Sequence, residues 1–243
     1  MMAPMPHLNP LGQPVGDAIE GWRPPARPSR DVLEGRWARL EPLAPAAHAR
    51  PLFEANALDA DGRNWTYLPV GPFATFEDYD AWLRKMAPGD DPLFFTIVDR
   101  ERQQPVGVAS YLRIDPAAGS IEVGHINFSP LAQRTRAATD TMYLMMHHAF
   151  ALGYRRYEWK CDSLNAPSRA AADRLGFTFE GVFRQATTYK GRNRDTAWYS
   201  ILDHEFPALD AAYRTWLADA NFDAAGQQRR RLADLVADAR ASR

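Results

Sequence analysis

Cysteine is nearly absent. Cys161 is the single one among 243 residues, so neither an intrachain disulfide nor a cysteine-rich zinc site can be built. A basic surplus is missing too: 29 Lys and Arg stand against 30 Asp and Glu, a formal net charge of −1. Nucleic-acid binders normally carry a positive excess or stripe, so no nucleic-acid partner is expected. No stretch approaches the roughly 20 apolar residues a bilayer-spanning helix needs. The opening MMAPMPHLNPLGQPVGD has no charged start followed by an apolar run, which argues against a signal peptide. The expectation is a cytoplasmic protein with no membrane partner. What the chain does carry is 46% hydrophobic and 24% charged residues, ordinary for a protein with a sizeable core.

Proline, glycine and the absence of apolar periodicity mark residues 1–34 as an extended N-terminal arm. Its Leu8, Leu11, Val15, Ile19 and Trp22 need a surface to lie on, either the body or a second subunit. GRWARLEPL (Gly35–Leu43) alternates as a first strand, and Pro45–Asn56 reads as a helix. Thr75 caps the next helix, FEDYDAWLRKM, with Asp78 three residues on. Three strands follow in series, Leu93–Asp99, Pro105–Ile114 and Ser120–Phe128, as an antiparallel meander. A helix over Ala137–Leu152 ends at Gly153. Then come a strand (Tyr154–Cys161), a short helix closed by Gly176, and two strands joined by the turn Gly191-Arg192-Asn193. Residues 206–243 form a C-terminal helical extension. Strands before and after a central helix predict one α+β domain over residues 35–205 rather than two.

The segment carrying chemistry begins where the strand ending at Phe128 opens through a loop rich in Gln and Arg into a helix. Unpaired N–H groups and the macrodipole at such a helix start favour anions, and Arg134 and Arg136 add full charges there. A pyrophosphate needs that combination. No pair of histidines is placed for a metal: His147 and His148 are adjacent on one helix and cannot both face one ion, so no metal is expected.

The loop Gln133-Arg134-Thr135-Arg136-Ala137-Ala138, followed by Thr139, resembles the Q/R-x-x-G-x-G/A loop of the GNAT N-acetyltransferase superfamily, in the Rim-type ribosomal-protein acetyltransferase branch. Gln133 and Ala138 match; Arg136 stands in place of the first glycine. A second block, NAPSRAAADRLGF and then Glu180-Gly181, is similar to the family's N-x-x-S…G-F and E-G. The resemblance covers roughly Gly35 to Asp203. It implies a GNAT fold, a central mixed, mostly antiparallel sheet of about seven strands flanked by helices. It also implies acetyl-CoA as cosubstrate, with an acetyl group passing by direct attack to a primary amine, of a small molecule or of a protein N-terminus.

By that resemblance the loop Gln133–Thr139 holds the pyrophosphate and Asn165 lies beside the pantetheine. The N–H groups of Asn127 or Phe128 meet the thioester oxygen, and Ser168 gives a proton to the leaving thiolate. Glu122 matches a glutamate that acts as base, although pairing with Arg113 is its structural alternative. Strand alternation puts Glu122 and His125 on opposite faces unless a bulge intervenes, and His125 is either a satisfied core histidine or a substrate contact. Trp65, Tyr67 and Arg184 are the acceptor-site candidates, with Tyr189 and Arg194 near the last strands. A catalytically silent CoA-binding or scaffold protein is the competing reading, motivated by Arg136. A homodimer is a candidate because the arm and terminal helices carry apolar residues beyond what the core needs.

Overall fold

The computed structural model describes residues 7–241; the first six residues of the expected arm and the last two of the chain lie outside the described residues. The arm carries a two-stranded hairpin, β1 (His7–Leu8) and β2 (Pro14–Val15). Leu8, Leu11, Val15 and Ile19 remain exposed on it. Trp22 packs on the body beside Gly119, with Arg155 5.5 Å from its ring centroid, and Arg27 and Arg30 bond Ile114 O and Ala87 O.

The body is an eight-stranded sheet in the order β3-β4-β5-β6-β7-β8-β10-β9. Strands β3 (Leu33–Glu34) and β4 (Ala38–Pro42) precede helices α1 (Pro45–Ala57) and α2 (Phe76–Met86). Strands β5 (Leu93–Asp99), β6 (Gln104–Asp115) and β7 (Ser120–Phe128) form the meander, and α3 (Arg136–Ala151) leads to β8 (Arg156–Asp162). Helix α4 (Ala166–Leu175), β9 (Thr178–Tyr189), β10 (Arg192–Leu202), α5 (Phe206–Leu217) and α6 (Leu232–Ala241) complete the chain. Among the described residues only β7 and β8 pair in parallel; all other neighbours are antiparallel.

The α+β class holds, with one edge strand more than expected. The first strand is also shorter than Gly35–Leu43, because the chain turns at its start. The Asp140 carboxylate accepts from the N–H groups of Trp37 (2.6 Å) and Ala38 (3.0 Å), and a Cβ on Gly35 would lie 2.5 Å from the same carboxylate. Strand β8 starts at Arg156 rather than Tyr154, since Gly153 takes φ +96° and Tyr154 still bonds back to Ala149. The last hairpin turns one residue early. Lys190 (φ 49°) and Gly191 (φ 69°) are its two central residues, and positive φ at both marks a type I′ turn whose twist suits the strands.

The helices divide over the two faces. Beneath α3, α4, α5 and α6 lies a core containing Ile121, Val123, Met145, Tyr157, Trp159 and Tyr213. The smaller core under α1 and α2 contains Leu52, Trp65, Tyr79, Leu83, Phe94 and Val108. All seven residues of β5 are buried, as its unbroken run LFFTIVD suits a strand covered on both sides. Thr75 Oγ1 accepts from Asp78 N at 3.2 Å, an N-cap that stabilises α2 by about 1 kcal/mol.

Candidate active site

The sheet opens at one place. Pairing between β7 and β8 runs from Ser120↔Arg156 to Val123↔Trp159 and stops there. From Gly124 to Phe128, β7 therefore has strand neighbours on its β6 edge alone. Opposite Val108–Ser110 of β6, β7 spends an extra residue between Gly124 and Asn127, a bulge with His125 at φ +47°. The bulge decides which side chains share a face. Ile121 and Val123, before it, pack with the α3 core, and so do Ile126 and Phe128 after it. His125 instead stacks on Phe94 of the α1–α2 core, with ring centroids 5.1 Å apart. Glu122 and His125 thus lie on one face, the exception that alternation alone allowed.

Helix α3 starts beside this opening. Thr135 is its N-cap, accepting from Ala138 N at 3.2 Å and donating to Ala132 O at 2.6 Å. The N–H groups of Arg136 and Ala137 lie in the first turn, where no intrahelical acceptor exists. Arg134 takes φ +61°, and its side chain is exposed with no partner among the described residues. Gln133 Nε2 bonds Asn64 Oδ1 (2.7 Å) and Phe128 O (3.1 Å), closing the loop against the segment after α1.

Arg136 differs from the expectation that its guanidinium faces an anion. It pairs with Glu101 at 2.6 Å and lies 3.8 Å over the Trp37 ring and 5.0 Å from that of Phe222. Only its backbone N–H remains for the helix start. A cation the sequence did not single out, Arg174 of α4, reaches Thr139 Oγ1 in the same turn at 3.4 Å. Asn165 caps α4 by accepting from Ser168 N at 3.2 Å. Ser168 Oγ accepts from Trp159 Nε1 at 3.1 Å and lies beside Cys161, whose thiol burial pushes up.

On the other face of β7 and β8 runs a chain of charges. One Arg113 nitrogen reaches both oxygens of Glu122, at 2.7 and 2.8 Å. Lys160 Nζ is 2.9 Å from Glu122 and 2.7 Å from Glu158, and lies 3.7 Å over the Trp198 ring. Arg156 then bridges Glu158 and Glu180. The Glu122 and Lys160 side chains are only 4% and 6% exposed. The alternative reading of Glu122, a strand carboxylate held by Arg113, is the arrangement the fold adopts, with Lys160 as an unforeseen second partner.

His125 is free of that chain. Ser110 Oγ donates to Gly124 O (3.2 Å) and meets His125 Nδ1 at 3.0 Å. With its proton directed at the carbonyl, the serine oxygen accepts from Nδ1–H, which leaves Nε2 carrying the lone pair. Burial first, then the charges of Arg113 and Arg194, push the ring down to about 4, so it is neutral at pH 7. Asn127 is 2% exposed, yet neither of its side-chain polar atoms has a partner among the described residues.

The acceptor candidates separate. Trp65 is 3% exposed and edge-packed against Phe73, Tyr79 and Trp82; its ring belongs to the smaller core and also lines a cavity with Phe53, Asn56, Gly62 and Pro72. Tyr67 spans the mouth of the opening, its hydroxyl donating to Leu164 O at 3.2 Å. Arg184 lies on the outer hairpin with Phe183, Gln185, Asn193 and Asp195. The hairpin tip folds over the mouth instead, through Lys190 Nζ to Trp65 O (2.6 Å) and Tyr189 Oη to Asp162 (2.8 Å). Among the described residues no cluster of His, Cys, Asp or Glu could hold a metal, and no helix is long and apolar enough to cross a membrane.

Comparison with known proteins agrees with this geometry. Residues 38–178, more than half of the chain, match the acetyltransferase (GNAT) domain family. A GCN5-related N-acetyltransferase structure from Brucella melitensis is 47% identical, with TM-score 0.88 over 90% of this chain and 100% of that one. A probable GNAT-family acetyltransferase from Chromobacterium violaceum is 40% identical, with TM-score 0.75 over 80% and 98%. An uncharacterized N-acetyltransferase, p20, from Bacillus licheniformis is 26% identical over 113 residues, and the match spans 46% of this chain and 63% of that relative. The chain belongs to the GNAT acetyltransferase family, a class of acyl-CoA-dependent acetyltransferases.

Proposed function

We propose that this protein transfers an acetyl group from acetyl-CoA to the primary amine of a small molecule by direct attack. The observation that carries the reading is the unpaired β7 edge, Gly124–Phe128, opening beside the uncapped amides of α3. When bound, the cosubstrate supplies an activated thioester. In this reading the N–H groups of Arg136 and Ala137, with the guanidinium groups of Arg134 and Arg174, hold its phosphates. The free backbone edge around Asn127 and Phe128 stabilises developing charge on the carbonyl oxygen. Ser168, over Cys161, hydrogen-bonds the departing sulfur.

His125 is the group that receives the amine in this reading. Its Nε2 lone pair accepts from the attacking nitrogen, directly or through one water. Glu122 serves as counterion of Arg113 and Lys160, since both its oxygens already accept from cations. Membership of the Rim-type branch would make a protein N-terminus the acceptor. The two ties across the mouth, Tyr67 to Leu164 and Lys190 to Trp65, favour a small molecule.

Calorimetric titration with acetyl-CoA, followed by thiol-release assays against a panel of amines, tests the reading. Binding with release on a subset of amines is expected. Binding without release on any amine would establish the silent CoA-binding alternative. No measurable affinity for the coenzyme would defeat both.

A further inference from the structure

Three arginines around the opening have a carboxylate: Arg113 has Glu122, Arg136 has Glu101, and Arg156 has Glu158 and Glu180. Arg194 has none. Among the described residues its guanidinium makes no hydrogen bond or ion pair, and its Nε is buried without a partner. Its one recorded contact is a loose approach to the Tyr189 ring, 5.9 Å from the centroid. A buried donor without an acceptor is rare in a native fold and usually marks a group that something else completes.

Its position says what that something is. Thr196 pairs with Asp162 and Trp198 with Lys160, so alternation along β10 places Arg194 on the face of Thr196 and Trp198. Trp198 stacks on Lys160, and Lys160 reaches Glu122, so this is the face that also holds His125. Arg194 lies beyond the register where β8 ends, at the mouth of the opening. Its charge is felt at both His125 and Cys161, one from each side of the gap. The carboxylate of Asp162, opposite Thr196, is already taken by Tyr189 Oη (2.8 Å) and Leu164 N (2.9 Å), and that of the adjacent Asp195 by Gln185 N and Asn193 Nδ2. Opposite Arg194 and Thr196 the register of β9 slips around Gln185 (φ 49°), and such an irregularity bends the hairpin.

We propose that Arg194 receives the carboxylate of the acceptor, so that the substrate class is a small amine bearing a carboxylate near the reacting nitrogen, as in an amino acid. The inference rests on the transfer reading above for which nitrogen reacts, but not for binding. A planar guanidinium fork matches a carboxylate with two parallel hydrogen bonds. Anchored there, the substrate places its amine between Arg194 and His125. The neutral imidazole adds no second cation to repel the ammonium form on arrival.

The test titrates the CoA-bound protein with α-amino acids, their primary amides and their decarboxylated amines. Binding is read by calorimetry and transfer by thiol release. In the wild type at least one amino acid should bind about tenfold to a hundredfold more tightly than its amide, the range of a charge-assisted hydrogen bond. Arg194→Ala should abolish that ratio while leaving the amide's affinity unchanged, and Arg194→Lys should restore part of it. Equal affinity for acid and amide in the wild type overturns the proposal without any variant. So does an equal loss of both ligands in Arg194→Ala. Binding of acids without thiol release would sink the transfer reading alone; release from amines irrespective of a carboxylate would sink this one alone.

Discussion

Two groups of charges share one face of the sheet a few residues apart, and they are finished differently. From Arg113 through Glu122, Lys160, Glu158 and Arg156 to Glu180, each cation meets a carboxylate and each carboxylate a cation. At the mouth, Arg194 has no carboxylate and His125 has a free ring nitrogen. A closed network holds strands together and neutralises its own charges. An open one leaves donors and acceptors directed at space. Family resemblance points to Glu122 as the reactive carboxylate, whereas its partners place it on the structural side of this divide.

The largest effect that would break the comparison concerns His125. His125→Ala should lower kcat by about 10² to 10⁴, the usual weight of a positioned acid or base, with the thermal midpoint little changed. Steady-state kinetics on an accepted amine decides it, and a loss below threefold would return His125 to the core. Next comes Glu122. Glu122→Ala takes one of two carboxylates from buried Lys160, which keeps Glu158, and the partner of solvent-facing Arg113, so about 1.5–3 kcal/mol of stability should disappear in denaturant unfolding. Protein that stays folded should keep kcat within a few fold. A thousandfold drop in kcat at unchanged stability would instead make Glu122 the base.

A smaller effect separates the two arginines of the loop. Arg134→Ala should weaken acetyl-CoA roughly tenfold by calorimetry, as loss of a charged hydrogen bond would. Arg136→Ala should change affinity little and lower stability through the lost stack on Trp37. The smallest effect is a titration. By nuclear magnetic resonance the His125 ring should protonate near pH 4, against 6.5 for a free histidine. Because the folded protein disfavours the charged ring, the contribution to stability is intact above pH 6.5 and is lost as pH falls towards 4. Arg194→Ala removes a nearby positive charge, so the midpoint should rise. An unmoved midpoint would place Arg194 away from His125.

Much of the scaffold was legible in local signals. Leu93–Asp99 ends where its apolar run ends, and Ser120–Phe128 spans its alternating stretch. Thr75 and Asn165 cap the helices they precede, because a short side chain before an apolar-periodic run has few other uses, whereas α3 starts one residue before the expected Ala137, capped by Thr135. The site was legible in part. The helix start that suits phosphate lies in one continuous segment, whereas the acceptor side is assembled from distant ones. The bulge at His125 depends on how β6 lies against β7, and the fate of Arg136 depends on Trp37 and Phe222. Trp65 is an acceptor-site candidate because loops between the first helices cover that site in the family it resembles, but its packing on Phe73, Tyr79 and Trp82 depends on residues outside its loop. Asn64 has no local pattern that sets it apart, and Arg194, a candidate by its place near the last strands, acquires its meaning from residues far along the chain.

The tie from the Lys190 ammonium to the carbonyl of Trp65 has a consequence for turnover. It makes the hairpin tip a latch anchored in the floor of the smaller core. A hydrogen bond to a charged group contributes only about 1.5–3 kcal/mol, so thermal motion releases such a latch often. If the proposed acceptor enters at this mouth, its entry and product exit would be timed by the hairpin tip beyond Thr196, where β10 is no longer paired with β8.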